Sequence, residues 1–515
     1  CPVSYDGPLR RFFSGDPFVA DYDVDLAGVP ESVAVVPVLA HVCPVAWANG
    51  ATVRAPAVDA TFLESLREVG NVLVDMYPAF MEGGRVEVGE AVENEAPGGT
   101  PTERADVPRA DGGSVAADVG DGGADGHGPP GDTDAAMLFS GGVDSLSTYV
   151  RHREESPALV SVQGWVLKRD QPERWERVWR GVERFADARG VESHSISSNM
   201  LEFLHTPMLQ AHYKRYVDGA WYSSVGHGLG MLGLCAPLAY ARGYGTVYMA
   251  ATHTAAFGEP WGSHPRIDDR VRWTGTRAVH DGYELSRQEK LELIADYVRE
   301  GEEDLTLRTC IYADDGDNCG ECEKCYRTAA GLVLAGLDPN EFGYDVDGGT
   351  FVDARRDLEA GRFALGEDER FMWRDIRDHV PDDGDYPWPE AGAFFDWLRR
   401  ADLDDLVDRG GTPLGDRIVR AGMRPPPYPV YARVYSGKLE DGAMIYNPGK
   451  ERKERVNKIL RMFANDREEL TEMTAGDIGA IVGLKHSFTG DTLCVPSGPI
   501  VLESISFPKP VIFVA

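Results

Sequence analysis

Lysine is almost missing from the first 430 residues, where only Lys168, Lys214, Lys290 and Lys324 occur. With a formal charge of −32 as well, the chain lacks the clustered cations that a nucleic-acid backbone requires, which argues against nucleic-acid partners. The excess of carboxylates instead fits a protein kept soluble at high salt, where mobile ions screen their repulsion. Long apolar runs are missing too. None approaches the roughly 20 residues of a membrane helix, and no signal peptide opens the chain, so no membrane partner and a cytoplasmic location are expected. Cysteine is scarce, with eight in 515 residues, and Cys1, Cys43, Cys235 and Cys494 are dispersed. That spread gives no disulfide framework. Cys1 standing where a Met would be expected reads as a processed or truncated product.

What is present is ordinary for a globular chain, with 43% hydrophobic residues and room for two to four domains. Composition then changes abruptly near residue 430. The last 85 residues carry six lysines and balanced charge, so the whole net charge lies before them. Isoleucine occurs six times before residue 430 and seven times after it. One fold under one solvent regime would not change in this way, and two segments of different origin are inferred.

Periodicity divides the chain further. Residues 1–88 read as a small α/β domain, with Phe62, Leu66, Val69, Leu73 and Met76 on one helix face. Residues 89–134, rich in Gly, Asp, Ala and Pro, read as a disordered acidic linker that buries too little to offset chain entropy. From Ala135 strands and helices alternate, with strands at 135–139, 159–162, 191–196 and 246–250 and a helix stopping at Gly190. A long helical region is expected before Arg242. Such β–α repeats predict an α/β fold, a doubly wound and mostly parallel sheet, over residues 135–350. Residues 351–428 read as a helical extension around Trp373, Trp388 and Trp397 with no nameable chemistry.

The sharpest signal is Ser140-Gly141-Gly142-Val143-Asp144-Ser145, placed between a strand and a helix just after Phe139. Two glycines let backbone approach a charged group and adopt positive φ. The open N–H groups of a helix start then face an anion. Ser140 and Ser145 can donate to phosphate oxygens, whereas Asp144 makes sense if it captures backbone amides or holds Mg²⁺. An ordinary Ser/Gly turn with an Asp cap is the plainer reading. The loop matches neither GxxxxGK[ST] nor GxGxxG.

A second signal is the spacing C-x8-C-x2-C-x2-C over Cys310, Cys319, Cys322 and Cys325, with Gly316 and Gly320 supplying bends. Four soft ligands with no open position suit structural Zn²⁺. A redox pair, chance thiols and an iron–sulfur cluster are the rivals.

SGGxDS at the first strand–helix turn resembles the PP-loop of ATP pyrophosphatases, of adenine nucleotide alpha hydrolase-like fold. Followed by C-x8-CGxCxxC and Arg327, it is similar to the 7-cyano-7-deazaguanine synthase family over about residues 135–335. That resemblance implies an adenylating carbon–nitrogen ligase. ATP and Mg²⁺ would be held at Phe139 to Ser145, with Ser140, Asp144 and Ser145 catalytic, and Zn²⁺ on the four cysteines. The substrates would be a small carboxylic acid and ammonia or an amide nitrogen donor, and a homodimer is left open. The chain departs from the family in its long N-terminal region and in carrying His253 and His264 after the fourth strand. These two histidines either line the pocket or are structural. Arg287 and Lys290 either face phosphates or, the preferred reading, are solvated.

Residues 429–515 are expected to form a C-terminal β-barrel. From Ala432 to Glu503 the tail resembles domain II of translation elongation factor G. It lacks that domain's first strand and any GTPase domain, so it reads as a fused or misjoined fragment. Competing functions are an amidotransferase of the asparagine synthetase kind, a zinc-stabilised nucleotide sensor, a tRNA-thiolating enzyme and a translation factor.

Overall fold

The computed structural model describes residues 1–97 except Pro8, 133–301 except Arg215 and Asp218, 305–310, and 318–404 except Ala364. Farther on it describes 430–448, 452–463, 466–482, 491–496 and 511–514, with isolated residues between them. The core of the expected linker, residues 405–428 of the expected helical extension and residue 429 at the head of the expected barrel lie outside the described residues.

The chain divides into two compact units, Cys1–Pro413 with Lys509–Ala515, and Leu414–Pro508. Among the described residues, ten strands of the first unit precede residue 300. They are β1 (Val3–Tyr5), β2 (Ala20–Tyr22), β3 (Thr52–Asp59), β4 (Arg85–Val92) and β5 (Ala135–Leu138). After these come β6 (Ala158–Gln163), β7 (Ser193–Ser198), β8 (Thr246–Ala250), β9 (Arg272–Trp273) and β10 (Thr276–Asp281).

The larger sheet has the order β2-β7-β6-β5-β8-β10-β9. Its five central strands pair in parallel, while β2 and β9 close the edges antiparallel. Parallel strands need both faces covered, and β5 shows it residue by residue. Ala136 and Leu138 join one apolar core and Ala135 and Met137 the other. Helices Val143–His152, Pro172–Arg189 and His227–Arg242 carry the chain between successive parallel strands. The chain builds outward from β5 to β6 and β7, then returns to the other side of β5 to build β8 and β10. That reversal opens a crevice beyond the C-terminal ends of β5 and β8.

A smaller sheet has the order β1, Val511–Val514, β3, β4. Helix Ala60–Met76 packs on it through Phe62, Leu66, Val69 and Leu73, the face read from the sequence. Two boundaries read from composition move. Strand β4 pairs with β3 through Val92, across the 88/89 division, because backbone pairing does not require apolar side chains on an exposed strand. Val511–Val514 belongs to this sheet and not to the tail, since it pairs with β1 and β3. The helical stretch before Arg242 is also broken, into Met200–Phe203, Thr206–Tyr213 and a π turn at Tyr222–Gly226 before the long helix.

The second unit is antiparallel β structure, with Val430–Arg433, Ile478–Val482, Lys458–Phe463 and Asp466–Leu470 side by side in that order. Its own small core holds Ile445, Val456, Ile459, Met473 and Ile481.

Candidate functional site

Strand β5 delivers the glycine loop to the crevice. Phe139 N–H donates to Val160 O at 2.8 Å, which fixes the point where the chain leaves the sheet. Gly141 then turns with φ of +72°, a left-handed conformation that glycine adopts freely. Gly142 begins helix Val143–His152 with no side-chain cap, so the first helical amides remain open to an anion. Ser145 is buried, and its Oγ bonds Ser140 N–H and Gly142 O, each at 3.2 Å. It folds the loop from beneath, while Ser140 stays exposed at the rim.

Asp144 does not capture amides. Its carboxylate accepts from Arg287 Nη1 at 2.8 Å and lies 3.4 Å from Lys290 Nζ. Burial alone would raise this carboxyl, but the two cations outweigh it and hold it below the usual range. Lys290 is only 1% exposed and also donates to Ala251 O, just past β8, so it bridges the two sides of the crevice. Burial pushes its ammonium down. The solvated reading of Arg287 and Lys290 is therefore overturned. Their helix, Arg287–Arg299, packs against helix Val143–His152 and turns both side chains inward.

The four cysteines converge. All their sulfurs lie within 4.8 Å of one another, with Cys319 to Cys325 at 3.8 Å and Cys310 to Cys322 at 4.0 Å. A disulfide needs about 2.05 Å. Four sulfurs about 2.3 Å from one central ion would sit roughly 3.8 Å apart, so the set can hold a metal such as zinc. Gly320 turns with φ of +73° between the first two of the clustered ligands, as the spacing required. Cys322 precedes helix Glu323–Leu334 and Cys325 lies in its first turn. Gly316 lies outside the described residues.

Residues 430–494 match the family model for elongation factor Tu domain 2. The match falls inside the second unit and supports the translation-factor resemblance read for the tail. It does not reach the loop or the cysteines, and among the described residues no helix is long and apolar enough to cross a membrane.

Three contributors to the site were not singled out from the sequence. Arg308 donates its backbone N–H to Gly141 O at 2.8 Å and its guanidinium to Ser140 O at 3.1 Å. Burial, with Arg174 nearby, pushes it down to about 10, so it stays charged. Asn318 accepts from the N–H groups of Thr309 and Cys310 and donates to Leu307 O and Gly343 O, holding the Cys310 segment in place. Asp368, from the extension with no expected chemistry, accepts from His253 Nε2 at 2.6 Å. Arg308 and Asn318 carry no motif, and Asp368 lies 115 residues from its partner.

Both histidines after β8 line a cavity of about 370 Å³. His264 is committed to structure. Its Nδ1 accepts from Arg266 N–H and its Nε2 meets Tyr283 Oη at 3.1 Å.

Proposed function

We propose that this chain is an ATP-dependent adenylating ligase of the ATP pyrophosphatase type, similar to 7-cyano-7-deazaguanine synthase, forming a carbon–nitrogen bond on a small carboxylic acid. One observation carries the reading: an uncapped, glycine-turned helix start lies at the point where the parallel sheet reverses direction, flanked by Arg287 and the buried Lys290. Two of the four lysines in the first 430 residues, Lys290 and Lys324, lie within the electrostatic reach of Arg287. In so acidic a chain, that convergence answers the charge of a triphosphate.

In this reading the amides after Gly142 cradle the phosphates, and Arg287 and Lys290 offset the charge that grows on departing pyrophosphate. The acid's oxygen attacks the α-phosphorus and pyrophosphate leaves. Nitrogen then attacks the acyl carbon, the bond to AMP breaks, and nitrogen gives up a proton. Asp144, whose two oxygens now face Arg287 and Lys290, would have to exchange one of these cations for the Mg²⁺ that accompanies ATP, an ion that would supply further charge neutralisation. Cys310, Cys319, Cys322 and Cys325 would hold Zn²⁺ as a structural ion, since four thiolates leave no position for substrate.

The test is incubation with ATP, ammonia and 7-carboxy-7-deazaguanine, following AMP and product mass. Asp144→Ala should abolish AMP formation with the fold intact. AMP appearing only with a different acid would remove the specific likeness and keep the reaction class. A zinc-stabilised nucleotide sensor is the second reading, favoured by the double engagement of Asp144. It predicts ATP binding with no AMP at all.

A further inference from the structure

One helix of the extension crosses from the chain after β8 to the helix that carries Arg287 and Lys290. Helix Glu367–Asp378 lays Asp368, Phe371 and Asp375 along a single stripe, since steps of three and seven residues return to the same face. Each of the three has a partner beyond the extension. Asp368 accepts from His253 Nε2 at 2.6 Å, just past β8. Phe371 meets Phe257 edge-on, with ring centroids 5.2 Å apart. Asp375 Oδ2 accepts the backbone N–H of Gln288 at 2.8 Å. Seven residues of helix span about 10 Å, so one rod joins these two segments. Trp373 and Ile376, on another side of it, sit in the extension's own apolar core and anchor it there.

The Asp375 contact falls where helix Arg287–Arg299 is weakest. The first amides of a helix have no partner within it. Ser286 Oγ accepts from Glu289 N–H, and the Glu289 carboxylate accepts in turn from Ser286 N–H. Gln288 N–H finds its acceptor outside, in Asp375. Gln288 is fully buried, so water cannot replace that acceptor. Its side chain is tied as well, donating Nε2 to Gly331 O at 3.0 Å. The Asp375 side chain is itself only 9% exposed, and its carboxylate complements the positive end of the helix. Arg287 stands just before Gln288 and Lys290 two residues after it. Fixing this amide therefore fixes the backbone from which both cations reach Asp144.

We propose that helix Glu367–Asp378 is a strut for phosphate recognition, with Asp375 a positioning residue that acts through Arg287 and Lys290. The proposal rests on the reading in which those two cations meet the phosphates of ATP. Asp375 sets the first turn of the cation-bearing helix. Asp368 and Phe371 hold the same rod against the chain after β8, where Ala251 O receives Lys290. Without the Asp375 acceptor a buried amide is left unsatisfied, and the first turn must open to reach water. Arg287, at the first helical position, then loses its fixed backbone. The loss falls on phosphate binding, and a nucleoside without phosphates is spared.

Calorimetric titration of the full chain with Mg-ATP and with adenosine reads the strut. Asp375→Ala should weaken ATP about tenfold and adenosine less than about twofold. Asp375→Asn, which keeps a neutral oxygen acceptor, should restore ATP binding to within about threefold of wild type. Hydrogen exchange in the nucleotide-free protein gives a readout independent of ATP. The amides of residues 287–291 should exchange at least about tenfold faster in Asp375→Ala and close to the wild-type rate in Asp375→Asn. Equal weakening of ATP and adenosine, or unchanged ATP affinity, overturns the positioning role. If wild-type protein binds no ATP, the phosphate reading itself fails, and exchange still decides the strut, which unchanged protection in Asp375→Ala overturns. Should the alanine variant not fold, Asp375→Glu, which moves the acceptor by one methylene, takes its place with the same expected direction in both measurements.

Discussion

Replacing Lys290 by methionine would separate the proposed phosphate recognition from fold maintenance. Lys290 Nζ lies 3.4 Å from Asp144 Oδ1 and donates to Ala251 O from a side chain only 1% exposed. At an effective dielectric near 20, that ion pair is worth about 5 kcal/mol before desolvation. Depriving a buried carbonyl of its donor costs about 1–3 kcal/mol more. Against both stands the expense of burying an ammonium, several kcal/mol, which methionine of similar length does not incur. The lowered basicity of Lys290 says that burial weighs more than its partners. Arg287 still pairs Asp144 at 2.8 Å in the variant. Net stability should therefore change by no more than about 2 kcal/mol, and the chain should still fold. In the proposed ATP-binding reading, however, the nucleotide would lose a charged hydrogen bond worth about 1.5–3 kcal/mol, or roughly 10- to 150-fold in Kd. Calorimetric titration with ATP and with adenosine reads this directly, alongside Tm. ATP should weaken by at least about tenfold and adenosine hardly at all. Equal weakening of both ligands, or unchanged ATP affinity, would refute a phosphate role for this lysine.

The other predictions address the loop, the metal set and the buried carboxylate. Gly141→Val puts a β-branched residue at φ +72°, where the nearest atom to the new Cβ would be Arg308 Cβ at 3.9 Å. Strain and not collision should then cost about 1–2 kcal/mol, seen as a lower Tm and weaker ATP binding; neither changing would mean the loop has another conformation. Cys322→Ser should release metal and lower Tm, and unchanged metal content by elemental analysis would remove the zinc assignment. For Asp368, a folded value of about 2 lies below the ordinary ~3.9, so its contribution is complete above about pH 4 and lost as pH falls toward 2. Asp368→Asn should remove about 2 kcal/mol of that acid-limb dependence, and superimposable acid-unfolding curves would contradict it.

What the sequence made legible follows the range of the interaction involved. Helix Ala60–Met76 was visible because its buried face repeats every three to four residues, and β8 because its apolar run is continuous. The cysteine set was visible because three ligands fall within seven residues. Arg287 and Lys290 read as solvated because their helix is polar overall, and only its packing on helix Val143–His152 turns them inward. Asp368 sits among three acids in a helix's first turn, where a favourable meeting with the helix dipole explains all of them without a site. Its pairing with His253 depends on where two distant segments meet, and no local pattern encodes that. Strand β4 escaped for a related reason, since its residues alternate between half-buried and exposed and are held by backbone bonds to β3.

The cysteine set and the glycine loop are one mechanical unit, and Arg308 is the joint. Its backbone N–H and guanidinium occupy the carbonyls of Gly141 and Ser140 from one side. In a trans peptide the N–H of the following residue points opposite to the carbonyl. Engaging those two carbonyls therefore turns the amides of Gly141 and Gly142 away from Arg308. Two residues later Cys310 enters the sulfur cluster, and Asn318 ties the same stretch to the Cys319 side. A metal on these sulfurs would thus orient the loop's amides without touching the nucleotide. Loss of metal should then weaken ATP more than adenosine, the same asymmetry expected for Lys290→Met but reached through backbone orientation instead of charge.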